Sequence, residues 1–134
     1  MGMQDQAVTS LPVNFILADA HGVGTVTGTG IDLREYESLI VVFSAGLVNT
    51  AGDLHFEESD VLGSGYTDIT GAVFTQITTA NDNAVYLGHI NLRKRKPFIR
   101  AVLVVTGTAH DAAVVGVATA KVQDPVGATL VFDV

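Results

Sequence analysis

Short β-branched runs, each stopped by a glycine or an Asn/Asp turn, recur along the chain, and no stretch carries the 3.6-residue period of an amphipathic helix. Twenty valines and fourteen threonines supply the pattern, with 14 glycines and only 3 prolines. Side chains branched at Cβ lose freedom in a helix and pack well on a pleated surface, so this chain favours strands. The runs cover residues 13–18, 23–31, 36–45, 54–58, 66–69, 73–77, 84–90, 97–106, 112–122 and 128–134. Roughly eight to ten strands at fairly even spacing predict an all-β sandwich or barrel. Leu39-Ile40-Val41-Val42-Phe43 is apolar on both faces, which places it centrally in a sheet with something packed on each side. The glycine-rich stretch 22–30 reads as a weak, bent strand.

At 134 residues the chain is the size of one domain. We divide it into an N-terminal arm (1–12), a sandwich (13–122) and a C-terminal arm or extra strand (123–134). With no cysteine, disulfides, thiolate zinc sites and cysteine nucleophiles are excluded. A net charge of −7 argues against general nucleic-acid binding, which needs a basic surface. The first ten residues lack the basic and apolar regions of a secretory signal. The longest apolar run, 39–48, is too short for a bilayer, so a soluble protein made inside a cell, with no membrane partner, is expected.

The reactive inventory is thin. The stretches Gly22-Val23-Gly24 and Gly28-Thr29-Gly30 fit neither the dinucleotide nor the Walker spacing, and no helix follows them. His21, His55, His89 and His110 are scattered, with no pair of histidines at a metal-site spacing on one element, and are expected to face solvent near strand ends. A site assembled in space from several strands stays open at this point. In Glu57-Glu58-Ser59-Asp60, alternation sets Glu58 on the face of Leu54 and Phe56 as a structural carboxylate, and Glu57 on the other, solvated face. No serine has a nucleophile-elbow context. We therefore expect no enzyme, no catalytic residue, no cofactor and no metal. The run Arg93-Lys94-Arg95-Lys96 reads either as a solvated loop or as a docking patch for an acidic protein surface. It lacks the interleaved aromatics that stack on single-stranded nucleic acid.

Three segments carry a likeness. Ile31-Asp32-Leu33-Arg34-Glu35-Tyr36-Glu37-Ser38 resembles the opening of a group of small tailed-phage structural proteins. Phe56-Glu57-Glu58-Ser59-Asp60, a Gly/Ser loop and Tyr66-Thr67-Asp68-Ile69 resemble the next segment of that group, and Phe98-Ile99-Arg100-Ala101-Val102 a later strand. The likeness runs in order over roughly residues 30–122. Two features depart from the group: a tyrosine at 66 where tryptophan is usual, and a heavier basic tetrad at 93–96. The resemblance implies a capsid decoration (cement) protein, a jelly-roll-like antiparallel β-sandwich that binds the outside of a phage head shell. Its implied partners are itself, as a homotrimer before a dimer, and the major capsid protein. Its implied location is the capsid exterior of the virion, assembled in the host cytoplasm. The alternatives are a carbohydrate-binding or host-adhesion module, for which the chain is poor in aromatic platforms, and a head–tail adaptor.

Two expectations concern particular residues. The tail 126–134 keeps strand-like residues and is expected to add to a neighbour's sheet edge. Arg100 stands between Phe98 and Val102 in the most apolar strand, where an unpaired charge is costly. Glu58 is its expected partner, with Asp60 and Asp68 as competitors.

Overall fold

A computed structural model describes residues 10–47, 51–107, 110–120 and 130–134. The described residues form ten strands: β1 (Ser10–His21), β2 (Gly24–Thr27), β3 (Ile31–Asp32), β4 (Ser38–Ala45), β5 (Ala51–Ser59), β6 (Thr67–Thr78), β7 (Ala84–Asn91), β8 (Phe98–Thr106), β9 (His110–Thr119) and β10 (Leu130–Asp133). A 3₁₀ turn, Leu92–Lys94, links β7 to β8. Its first amide groups are capped by Asn91, whose side chain accepts from the Arg93 amide.

The strands form two five-stranded sheets. Sheet A runs β1-β9-β4-β7-β10, and sheet B runs β2-β8-β5-β6 with β3 also on β8. The pairs are nested: β1 with β9, β2 and β3 with β8, β4 with β7, β5 with β6. That is a long hairpin rolled upon itself, the jelly-roll arrangement of a β-sandwich. All these pairs are antiparallel; β10 adds a parallel strand at the β7 edge. Two expected strands around Gly71 are one long strand, β6, carried through a left-handed Gly71 (φ 86°).

Alternation builds the core. Leu39, Val41 and Phe43 of β4 point inward and are fully buried, opposite Leu54 and Phe56 of β5 and Ile99, Ala101 and Leu103 of β8. Phenylalanines from both sheets interlock: Phe15 with Phe56 at 5.5 Å, Phe43 with Phe74 at 5.5 Å, and Phe132 with Phe74 at 5.0 Å between ring centroids. Phe132 brings the last strand into this core. Its ring sits against Gly88, where any Cβ would come within 2.4 Å of the Cζ atom. The tail expectation is corrected here for residues 130–133: they pair within their own chain, held by Phe132 and by the Val134 amide on the His89 carbonyl at 2.9 Å. The remainder of that tail, and most of the arm 1–12, fall outside the described residues.

Candidate functional surfaces: the outer faces and the basic loop

The outward positions of sheet B carry its chemistry. On β8 the inward set is Ile99, Ala101, Leu103 and Val105, so Arg100 faces out. Register places it directly opposite Glu57, and its Nε and Nη2 both donate to Glu57 Oε2 at 2.6 Å. The guanidinium also lies 3.9 Å over the ring of Tyr66, whose hydroxyl donates to the Leu62 carbonyl. The expected Arg100–Glu58 pair is therefore corrected to Arg100–Glu57. Glu58 does share the core-side parity of Leu54 and Phe56, but Arg100 belongs to the opposite face. Nor is Glu57 solvated: only 15% of its side chain is exposed.

Glu58 instead anchors the basic loop at one end of the sandwich. Its Oε2 accepts the Lys96 amide at 3.0 Å, and its Oε1 lies 3.6 Å from Arg95 Nη1. Arg93 pairs with Glu37 at 2.8 Å, and Lys96 Nζ lies 3.8 Å from Asp60. Three of the four cations in the proposed docking patch thus lean on carboxylates of their own chain, and Lys94 is exposed. The loop borders an open cleft of about 570 Å³ lined by Arg34, Tyr36, Glu37, Arg93 and Arg95 among others. At its rim Arg34 binds Asp32 at 2.9 Å and holds that carboxyl below its ordinary 3.8.

Two histidines depart from the solvent-facing expectation. His89 and His110 are each 2% exposed. His89 joins three strands of sheet A: its Nδ1 meets Asp133 Oδ1 at 2.8 Å and its Nε2 meets Ser38 Oγ at 2.7 Å. Asp–His–Ser is the order of an acyl-transfer triad, but a nucleophile must be reachable, and Ser38 is 1% exposed. As packed, the relay fastens β10 to β7 and β4. His110 lies against Gly52, where a Cβ would come within 2.4 Å of its Nε2, and among the described residues neither ring nitrogen meets a hydrogen-bond partner. Burial pushes its pKa below the ordinary 6.5, and nearby His21 adds to the effect.

The middle of the outward face of sheet A is apolar instead. Across the strands, Val115 and Val117 of β9 stand beside Val42 and Ile40 of β4, and Val42 beside Leu87 of β7. Val115 and Val117 are each 41% exposed, and Val85 62%. The expectation that residues 39–43 are covered on both faces is met only on the inner one. The structure buries that side completely and leaves Ile40 and Val42 half-buried.

A third grouping, His55 with Glu57 and Asp68, is one that the spacing between histidines does not reveal. The legible signal was His55-x-Glu57, which puts both side chains on one strand face. Asp68 joins them only through the β5–β6 pairing.

No protein-family model matches the chain, and no curated protein matches it. Among solved structures, the fold is similar to that of the SPBc2 prophage-derived protein YomS. The match has a TM-score of 0.56 and 16% sequence identity, and it covers 81% of this chain and 91% of YomS. What the two chains share at that identity is the β-sandwich itself.

Proposed function

We propose that the chain is a structural protein of a phage virion that docks on the outside of the head shell as a homo-oligomer and stabilises it. The observation that carries this reading is the apolar outer face of sheet A. Valines 115 and 117 stand there beside Ile40 and Val42, and a contiguous exposed apolar patch on a soluble domain marks an interaction surface. The ordered likeness of residues 30–122 to small tailed-phage structural proteins supports the same reading, as does the prophage origin of a protein with this fold. A decoration protein binds a lattice many times over, so modest contacts multiply by valency.

Cryo-electron microscopy of purified particles tests it. The expected result is density for a sandwich of this size on the outer shell, with sheet A turned toward a neighbouring copy or the shell. Absence of the protein from purified virions overturns the reading. Density confined to the head–tail junction would make it an adaptor instead.

A further inference from the structure

Beyond a docking role, we propose that His55, Glu57 and Asp68 form a three-ligand site for a divalent first-row cation such as Zn²⁺ on the outer face of sheet B. His55 Nε2 lies 3.5 Å from Glu57 Oε1 and 3.4 Å from Asp68 Oδ1, and all three donor atoms fall within 4.8 Å of one another. Two donors held at about 2.0–2.1 Å from a tetrahedral cation are separated by about 3.3–3.4 Å. The observed separations therefore leave room for an ion between the donors. They fit hydrogen bonding poorly, because N–H···O contacts cluster near about 2.9 Å and one Nε2 cannot aim at two carboxylates at once. One imidazole nitrogen with two carboxylate oxygens is a donor set suited to zinc or its first-row neighbours.

The surroundings orient the ligands. Both Arg100 donors go to Glu57 Oε2, which leaves Oε1 turned toward His55. A ligand carboxylate whose second oxygen is held from behind is an arrangement metal sites use to fix ligand geometry. Asp68 is delivered by an irregularity in the sheet. Between the pairs His55↔Val73 and Glu57↔Asp68, β6 passes four residues, 69–72, against the single Phe56 of β5. Asp68 is 75% exposed, so the side facing solvent stays open for a water or a fourth ligand from another molecule.

Titration of the full-length protein with Zn²⁺ by calorimetry, and with Co²⁺ by visible absorption, tests the site. One equivalent of Zn²⁺ is expected to bind, and Co²⁺ to give the intense d–d bands of a four-coordinate site. Asp68→Asn, at an exposed position, and His55→Gln should each weaken Zn²⁺ binding by about tenfold or more. Asp60→Asn, in an exposed carboxylate outside the cluster, should leave it unchanged. Absence of saturable binding overturns the proposal. So does Zn²⁺ affinity that Asp68→Asn, in a variant shown folded by circular dichroism, leaves intact.

Discussion

The outward face of sheet B carries, among Phe98, Val102 and Val73, charged side chains that answer one another within the chain: Arg100 with Glu57, Tyr66 over Arg100, His55 between two carboxylates. On sheet A the outward positions Ile40, Val42, Leu87, Val115 and Val117 are apolar and neighbour one another, with the hydrogen-bonded Ser38–His89–Asp133 relay at one end of the face. Both sheets line the same core with the same alternation, so inward packing does not explain the difference. A face whose polar groups are already partnered gains little by being covered. A valine face gains about 25 cal/mol for each Å² of apolar surface removed from water. The comparison therefore assigns association to sheet A and local chemistry to sheet B.

The largest expected effect tests whether sheet A stands without its added strand. Phe132→Ala removes the ring that ties β10 into the phenylalanine cluster and empties the space over Gly88. A buried Phe→Ala change costs about 3–5 kcal/mol. Urea denaturation should show a loss of that size. A loss below about 1 kcal/mol would mean that β10 is an appendage of sheet A rather than part of its core.

The next effect belongs to sheet B. The Arg100–Glu57 pair is part-exposed, with side-chain accessibilities of 27% and 15%, so its coupling is discounted to about 1–2 kcal/mol. A double-mutant cycle with Arg100→Met and Glu57→Gln should return that coupling, and a parallel cycle with Glu58→Gln should return almost none. Coupling confined to Glu58 would mean that the outward parity assigned to Arg100 is wrong.

That pair also marks how far the sequence could be read. Strand positions, the all-β class and the core parity of β4 and β5 were legible, because alternation and turn residues report them directly. The parity of Arg100 was not: Phe98 and Val102 flank it on the outer face, and Ile99 and Ala101 are as apolar on the inner one. In a strand apolar on both sides, periodicity carries no sign. The His89 relay was hidden for another reason. Its carboxylate comes from Asp133, brought beside β7 by a parallel pairing 44 residues away in the chain. Asp68 was hidden by the irregular pairing of β6, which no local spacing encodes.

A smaller effect follows from His110, buried between the sheets beside Gly52. Burial lowers its pKa from the ordinary 6.5 in the folded chain. As the pH falls through 6.5, the unfolded chain takes up a proton that the folded chain refuses, so native stability falls with pH. Above that value the contribution is absent, and below the folded-state pKa it levels off. His110→Leu removes this titration. The stability of wild type relative to the variant should therefore decline as the pH is lowered from neutrality to about 5. A difference that stays flat over that range would show the ring protonating alike in both states.

The smallest effect on folding is the one that decides between the two faces. Val117→Glu places a charge on the outer side of sheet A, at a position 41% exposed in the isolated chain. Solvent reaches it there, so the folding free energy should shift by no more than about 0.5 kcal/mol. If the valine face is covered by a second copy, the glutamate becomes buried without a partner, at several kcal/mol for each copy. Light scattering should then report an oligomer for wild type and a monomer of unchanged stability for the variant. Val73→Glu is the matched control. It makes the same change on the outer face of sheet B, at a position 50% exposed, and should leave the mass of the assembly as it was. Loss of assembly with Val73→Glu, and its survival with Val117→Glu, would reverse the roles of the two faces. A wild-type protein that is monomeric throughout would leave the shell as the partner of sheet A, and Val117→Glu should then abolish binding to undecorated heads.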